Sequence, residues 1–312
     1  MQSTNSIEVT SKLAPSITKK ASAQTYYTIR FFADREKAQD AYRAYAYFRW
    51  VDDELDAEGG CNSGNKEFVE RQRSLLEACY RRATVCASDP HEQLLIDLVR
   101  SNGAKNDGLQ IYLRNMMSVM AFDAGRRGRL ISRLELDEYT RNLAIAVTEA
   151  MHHFVGHGCP TPLDDTRYLA VTAAHITHML RDTMADVRAG YYNIPHEVLT
   201  ANRILPTDVS SDAYRQWVRG RVLLARKYFK VGREYLLRVE NARCRLAGCA
   251  YTCRFEGVLD VIEKDGYLLR ESYAESRGLA AVVRASGSFL QMVMQRYRRH
   301  LAPAHEHSLR EL

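Results

Sequence analysis

The chain has 312 residues, of which 46% are hydrophobic and 26% charged, and its formal net charge is +6. These values are ordinary for a globular protein, so they exclude a disordered, collagen-like or low-complexity chain. Because the basic residues are spread out and no groove-reading motif occurs, we do not expect a nucleic-acid partner.

The N-terminal segment, residues 1–21, is polar and rich in Ser and Thr. It has no apolar stretch, so it predicts a flexible lead-in and not a secretory signal. From Tyr26 onward nearly every segment has helical periodicity, and alternating strand patterns are absent from the sequence. The predicted helices cover residues 26–56, 66–85, 90–101, 108–124, 135–157, 164–189, 210–240, 243–265 and 274–300. The chain is therefore predicted to be all-α.

A regular apolar stripe runs through the segment 210–240, where buried-type residues recur every three or four positions from Tyr214 through Gly232 to Leu236. Such a stripe predicts a long helix with one face in the core. No long linker or shift in composition divides the chain, so we predict one domain over residues 22–300, followed by a polar tail at 301–312.

The first predicted helix ends in an acidic motif at residues 52–56, with the sequence Asp-Asp-Glu-Leu-Asp. Asp52 and Asp56 are four residues apart and lie on one helix face, which they share with Arg49. The flanking residues are bulky and apolar, so a freely solvated surface is not expected here.

A second acidic motif lies 130 residues later, where Arg181 precedes Asp182 and Asp186 follows four residues on. His175 and His178 continue the same face toward the N-terminus of the helix. Carboxylates placed one turn apart repel each other, and on a partly buried face they need cations. Mg²⁺ prefers such oxygen ligands together with substrate phosphates. Two motifs with adjacent arginines therefore predict a site for magnesium and a diphosphate, suited to the ionisation of an allylic diphosphate.

These segments resemble known motifs. Residues 48–56, FRWVDDELD, are similar to the first aspartate motif of squalene and phytoene synthases, and residues 180–195, LRDTMADVRAGYYNIP, are similar to their second. The resemblance also includes Tyr26-Tyr27, Tyr139 and residues 258–270, and it spans about residues 22–295. On these motifs the chain is identified as a divergent member of that family.

The resemblance implies an all-α isoprenoid synthase bundle in which both motifs face a central cavity and bind several Mg²⁺ ions with a prenyl diphosphate. It implies that Arg49 and Arg181 contact the diphosphate and that Tyr139 lies beside the reacting centre. The implied metal residues are Asp52, Asp53, Asp56, Asp182 and Asp186.

The chain departs from the family where substrate is expected. The family usually has a glutamine and an asparagine where this chain has His175 and His178, and residues 146–153 are bulkier than the family's small residues. Two interpretations of these histidines stay open: core residues with hydrogen-bond partners, or catalytic residues that bind an acceptor or remove a proton.

Ionisation of the allylic diphosphate leaves a carbocation. For the same reason, the sequence leaves open which molecule reacts with it. Head-to-head condensation of two prenyl diphosphates is the leading hypothesis. The alternatives are transfer to an aromatic acceptor such as a carbazole, cyclisation, and a non-catalytic scaffold. The use of NADPH is also open, because members of this family do not bind it through a Rossmann module.

Other motifs have simpler interpretations. The seven cysteines lack a disulfide framework, which predicts reduced thiols and a cytoplasmic setting, and Cys244, Cys249 and Cys253 are predicted to be small core residues. His153 and His157 are four apart but lack a third zinc ligand at a known spacing. The basic run 296–300 is compatible with peripheral membrane contact or with a solvated helix end.

Overall fold

Helices form the regular structure of the chain wherever the computed structural model describes it, namely residues 2–57, 62–102, 107–156 and 161–273. No strand occurs in these ranges, which confirms the predicted all-α class. The helices are α1 (Gln2–Ala21), α2 (Ala23–Phe32), α3 (Ala38–Asp56), α4 (Asn62–Tyr80), α5 (Pro90–Asn102), α6 (Asp107–Arg126), α7 (Arg133–Val155), α8 (Leu169–Ala189), α9 (His196–Asn202), α10 (Asp212–Arg238) and α11 (Ala242–Lys264). A 3₁₀ helix, Asp165–Tyr168, precedes α8. The predicted helix 274–300 with its basic run, the tail 301–312 and His157 lie outside the described residues.

The N-terminal segment differs from the expected flexible lead-in. Residues 2–21 form α1, which packs against α3. Ala14 and Thr18, one turn apart, are both fully buried, and the Thr18 hydroxyl donates to the Ala14 carbonyl at 2.8 Å. The polar composition of the segment did not indicate a packed helix. A threonine can nevertheless be buried when its hydroxyl donates a hydrogen bond to a backbone carbonyl of its own helix.

The single stretch predicted at residues 26–56 is two helices. The chain turns at Ala33, where the backbone becomes extended, and the Asp34 N–H donates to the Phe154 carbonyl at 2.8 Å. Arg243 of α11 pairs with the Asp34 carboxylate. These contacts come from distant helices, so no local signal marked the break.

The loop after α8 is ordered by backbone hydrogen bonds. Gly190 has φ of 85°, a left-handed conformation that suits glycine at a helix C-terminus, and Tyr191 N–H donates to the Asp186 carbonyl at 2.8 Å. The Gly190 carbonyl in turn accepts from Gly128 N–H at 2.8 Å. The loops that follow α6 and α8 are thereby held side by side. Helix α9 in the second loop was not predicted.

The buried apolar residues of the described chain form three clusters, and the predicted stripe of α10 is buried along its length. Gly232 lies so close to α8 that a Cβ there would meet Ala170 at 2.6 Å. Cys244, Cys249 and Cys253 are buried, as expected of small core residues. Among the described residues, no helix is long and apolar enough to span a bilayer.

Candidate functional site

Helices α3 and α8 present their aspartates to one cavity of about 410 Å³. Each helix contributes two carboxylates one turn apart, Asp52 and Asp56 from α3 and Asp182 and Asp186 from α8. Helices α6 and α7 and the loop after α8 complete the walls. The full lining is Asp52, Leu55, Asp56, Asp123, Arg126, Tyr139, His175, His178, Met179, Asp182, Asp186, Tyr191 and Asn193.

The cavity carries an excess of carboxylate charge. Burial raises the pKa of Asp52 to about 6, and the neighbouring Asp56 adds to the shift. Burial also raises the pKa of Asp186 to about 6, with a further contribution from Asp182. A carboxyl group with a raised pKa is one whose charged form lacks sufficient cationic partners.

Asp182 differs from its neighbours because its charge is compensated. Arg181 donates two hydrogen bonds of 2.6 Å to the two carboxylate oxygens, and His178 Nε2 lies 2.8 Å from Oδ2. Burial works to raise the pKa of Asp182, but these hydrogen bonds outweigh it and hold the pKa well below its usual range. Arg181 therefore acts on the site through Asp182 and is not itself in the cavity lining.

Arg49 and Asp53 lie outside the lining of this cavity. Arg49 forms an ion pair with Asp53 and contacts Asp52 Oδ2 at 3.1 Å. Arg49 and Asp53 line a separate cavity between α1 and α3, together with Lys20 and Trp50. Of the first motif, the structure thus brings Asp52 and Asp56 to the shared cavity, with Arg49 reaching Asp52 from outside the lining.

Several lining residues were missed in the sequence. Asp123 and Arg126 lie on the last turn of α6, with Arg126 Nε 2.6 Å from Asp123 Oδ1. Arg126 Nη1 donates to Asn193 Oδ1 at 2.7 Å, and Asn193 Nδ2 donates to Asp186 Oδ2 at 2.8 Å. The chain of contacts joins α6 to the second motif. Its only local signal is the three-residue spacing of Asp123 and Arg126, which is common on any helix surface.

Tyr139 lies where α7 reaches the cavity, two turns after the capping box that Ser132 and Glu135 form at the helix start. Its hydroxyl donates to Asp123 Oδ2 at 3.2 Å, and the Arg126 guanidinium lies 4.9 Å from the ring centroid. Burial, together with the Asp123 charge, raises the pKa of Tyr139 well above its usual value. The side chain is therefore a neutral phenol.

His175 stands against Tyr139, with ring centroids 5.1 Å apart. It is 5% exposed, and neither ring nitrogen has a hydrogen-bond partner in the described part of the chain. Burial, with additional repulsion from His178, lowers the pKa of His175 well below its usual value. The structure thus contains a neutral imidazole in the cavity wall with both nitrogens unused. His178, by contrast, is half exposed and bonded to Asp182.

The residues of this cavity suit Mg²⁺ that is bound by protein and substrate together. They suit less well a metal ion that is bound by protein ligands alone. Within the described ranges, no three His, Cys, Asp or Glu side chains are grouped closely enough to hold a metal ion. Mg²⁺ is usually bound through one or two carboxylates, with waters and substrate phosphates completing its octahedron. Two carboxylate pairs on one cavity, with raised pKa values at Asp52 and Asp186, provide that arrangement.

Comparisons with known proteins identify the fold and the family of the chain. No curated protein matches the chain. Among solved structures, it is similar to a dehydrosqualene synthase in complex with ligand, with a TM-score of 0.66 and 18% identity over 92% of this chain and 96% of that one. It is similar to squalene synthase HpnC from Alicyclobacillus acidocaldarius, with a TM-score of 0.66 and 18% identity over 84% and 95% of the two chains. A complex of TcSQS with the ligand BPH1237 has a TM-score of 0.65 and 13% identity over 95% and 93%.

These likenesses show that the chain has the all-α isoprenoid synthase fold. The family is shown by a sequence model of squalene/phytoene synthases, which matches residues 18–282. The matched range includes both aspartate motifs and every residue in the lining of their shared cavity. The chain belongs to the squalene/phytoene synthase family.

Proposed function

We propose that the chain is a Mg²⁺-dependent prenyltransferase that ionises an allylic prenyl diphosphate. The observation that carries the proposal is the convergence of Asp52, Asp56, Asp182 and Asp186 on one cavity of about 410 Å³. This volume lies within the range of small-molecule sites, which runs from about 300 to about 1,000 Å³. Family membership supports the same conclusion.

The carboxylates of α3 and α8 hold the metal in this proposal. When bound there, Mg²⁺ neutralises the charge that grows on the diphosphate oxygens as the carbon–oxygen bond breaks. Arg181 orients Asp182 through two hydrogen bonds, and Arg49 contacts Asp52. Arg126 adds a fixed positive charge to the cavity wall, where Asp123 and Asn193 orient it.

The remaining walls suit a carbocation. Leu55 and Met179 are buried apolar side chains in the cavity lining, and such contacts would help to shield a carbocation from water. Tyr139 stays protonated because its pKa is raised, so it presents an aromatic ring and not a nucleophilic phenolate. An electron-rich ring stabilises a nearby cation without reacting with it.

Head-to-head condensation of two prenyl diphosphates, of the squalene or phytoene type, is the reaction we favour. The family match and the similarity to a dehydrosqualene synthase and a squalene synthase support it. In this reaction the second substrate is another prenyl diphosphate. Reduction of the condensation product to squalene would require NADPH.

One observation favours a second candidate, transfer of the prenyl group to an aromatic acceptor. His175 is a buried neutral imidazole with both nitrogens unpartnered among the described residues. Such a group is suited to accept the proton that an aromatic ring or its N–H releases after attack on the cation. Head-to-head condensation also releases a proton, when its cyclopropane ring closes. The family usually has a glutamine where this chain has His175, however, so transfer to an acceptor would account for the imidazole at this position.

Product analysis separates the candidates. The protein is incubated with geranyl, farnesyl or geranylgeranyl diphosphate and Mg²⁺, with and without NADPH and carbazole, and the extracts are analysed by mass spectrometry. Squalene, dehydrosqualene or phytoene from a single substrate would establish condensation and reject the acceptor role. A prenylated carbazole without these hydrocarbons would establish transfer. A cyclic terpene formed from one prenyl diphosphate molecule would indicate cyclisation. If no substrate released diphosphate, the proposed function would be contradicted.

A further inference from the structure

A second cavity in the described part of the chain is larger than the aspartate cavity. It has a volume of about 730 Å³ and lies between α7, α8 and α10. Helices α7 and α8 form a common wall, since Tyr139 and His175 line the aspartate cavity while their neighbours Thr140 and Ile176 line the larger one. The two cavities are therefore on opposite sides of the same helix pair.

Arg221 of α10 gives the larger cavity its chemistry. The side chain lines the cavity, and no hydrogen bond or ion pair joins it to any described residue. Burial lowers the pKa of Arg221, an effect that the attraction of Asp137 opposes and Arg133 reinforces. Buried Arg167 and half-buried Arg226 behave differently: burial works to lower the pKa of each, but hydrogen bonds to acidic partners outweigh it and raise the pKa.

The lining as a whole is positive. Arg133 and Arg141 accompany Arg221, while Asp137 and Asp165 are the acidic members, so three positive charges face two negative ones. A cation that is partly removed from water without a partner costs free energy, and an anion placed beside it recovers that cost. The charge balance of the cavity therefore favours an anionic ligand.

Part of the wall is formed by aromatic and aliphatic side chains. Trp217 and Tyr228 from α10 lie along the same cavity, with Leu224 between them in sequence. Gly220 also lines it, and a Cβ at that position would meet no heavy atom within 4 Å. A glycine in the middle of a helix weakens the helix, so its open backbone leaves room for a ligand at a cost in stability.

We infer that this cavity binds an organic anion, whose negative group pairs with Arg221 and whose flat apolar body packs against Trp217, one helical turn away. The ligand class is an aromatic phosphate, sulfonate or carboxylate. The inference does not rest on the proposed function, because none of these residues lines the aspartate cavity.

Trp217 provides a reporter for the test. The chain contains two tryptophans, so a Trp50→Phe background leaves Trp217 as the sole tryptophan. Phenyl phosphate is titrated into this protein in EDTA, which removes Mg²⁺ and thus the main attraction of the aspartate cavity for phosphate. We expect a saturable change in Trp217 fluorescence. Inorganic phosphate and benzyl alcohol should bind more weakly, since the first lacks the aromatic ring and the second lacks the negative charge.

Substitution of the arginine tests the assignment directly. We expect Arg221→Gln to weaken phenyl phosphate binding by about tenfold, the effect of losing one charged hydrogen bond. Arg219→Gln is the matched control: Arg219 is an exposed residue two positions earlier in α10, so its loss should change affinity by less than about twofold. Equal affinity of the Arg221→Gln protein, or the absence of a saturable signal in the parent, would overturn the inference.

A second variant makes the outcome independent of the arginine. Gly220→Leu places a side chain in open space inside the cavity, so the fold should tolerate it while the ligand volume shrinks. Far-UV circular dichroism checks folding of both variants. If Arg221→Gln does not fold, the Gly220→Leu titration decides: weaker binding supports the inference, and unchanged binding overturns it.

Discussion

Asn193 donates a hydrogen bond of 2.8 Å to Asp186, and this contact fixes one carboxylate of the second motif from the loop that follows it. The carbonyl of the same amide accepts from Arg126 at 2.7 Å, so the orientation of Asn193 is set from both ends. A group that orients a metal-binding carboxylate affects metal affinity although it does not touch the ion.

We therefore predict that Asn193→Ala raises the Mg²⁺ concentration needed for half-maximal diphosphate release by about tenfold, with a smaller change in the maximal rate. The measurement is a Mg²⁺ titration of diphosphate release. Asn202→Ala is the control, because Asn202 is exposed and its amide donates only within α9, to the Val198 carbonyl. An unchanged Mg²⁺ requirement in Asn193→Ala would show that the contact is not functional.

Arg126 and Asp123 form a largely buried ion pair in the cavity wall, so the cost of losing one member depends on the other. Arg126→Met leaves the Asp123 carboxylate buried without its cation, so we expect the free energy of unfolding to fall by about 3 kcal/mol. Adding Asp123→Asn should recover part of this loss, since the uncompensated charge is then removed. Urea unfolding of the two single variants and the double variant measures the coupling, and strictly additive effects would contradict it.

The raised pKa values of Asp52 and Asp186 predict a pH dependence in metal-free protein. Both folded-state values are about 6, above the ordinary carboxyl value of 3.8, so the folded state holds these protons more tightly. The stability they contribute is fully present below about pH 4 and is lost as the pH rises through about 6.

The Asp186→Asn substitution should remove the part of this pH-dependent loss of stability that comes from ionisation of Asp186. In EDTA at neutral pH we expect the variant to exceed the parent in free energy of unfolding by about 1 kcal/mol, after allowance for solvent screening. The difference should vanish near pH 4 and reverse in saturating Mg²⁺, which stabilises only the parent carboxylate. Urea unfolding at the two pH values tests this, and a difference independent of pH would refute the electrostatic account.

Two glycines of α10 give opposite expectations. Gly220→Ala places a methyl group in open space and should raise the free energy of unfolding by about 0.5 to 1 kcal/mol, the helix preference for alanine. Gly232→Ala forces a Cβ to within 2.6 Å of Ala170 and should lower it by about 1 to 3 kcal/mol. Thermal unfolding of the pair is the measurement, and effects of equal sign would mean that α8 and α10 are not packed as described.

The sequence predicted those features that depend on local spacing. Asp52 and Asp56 share a helix face because they are four residues apart, and the same rule placed Asp182 beside Asp186. The Gly232 position in the α10 stripe followed from periodicity alone. Family resemblance added the expectation that the two motifs face one cavity, and the structure places them there.

What the sequence could not predict depends on contacts between distant segments. Asn193 reaches Arg126 only because the loops after α6 and α8 are joined through Gly128 and Gly190. The break at Asp34 is made by a carbonyl of α7 and an arginine of α11. Arg49 and Asp53 share a helix with Asp52, yet their mutual ion pair lies on another side of α3. Spacing places a residue on a helix face, but the neighbouring helices decide which cavity it meets.

Mg²⁺-dependent diphosphate release from farnesyl diphosphate tests the central claim most directly, using Asp52→Asn, Asp182→Asn and the matched control Asp53→Asn. Asp53 belongs to the same motif but lies outside the cavity, so we predict that its substitution changes the rate by less than about tenfold, whereas each of the other two lowers it by about a hundredfold or more. Circular dichroism confirms folding in each case. Undiminished release from the Asp52→Asn and Asp182→Asn proteins would contradict the account.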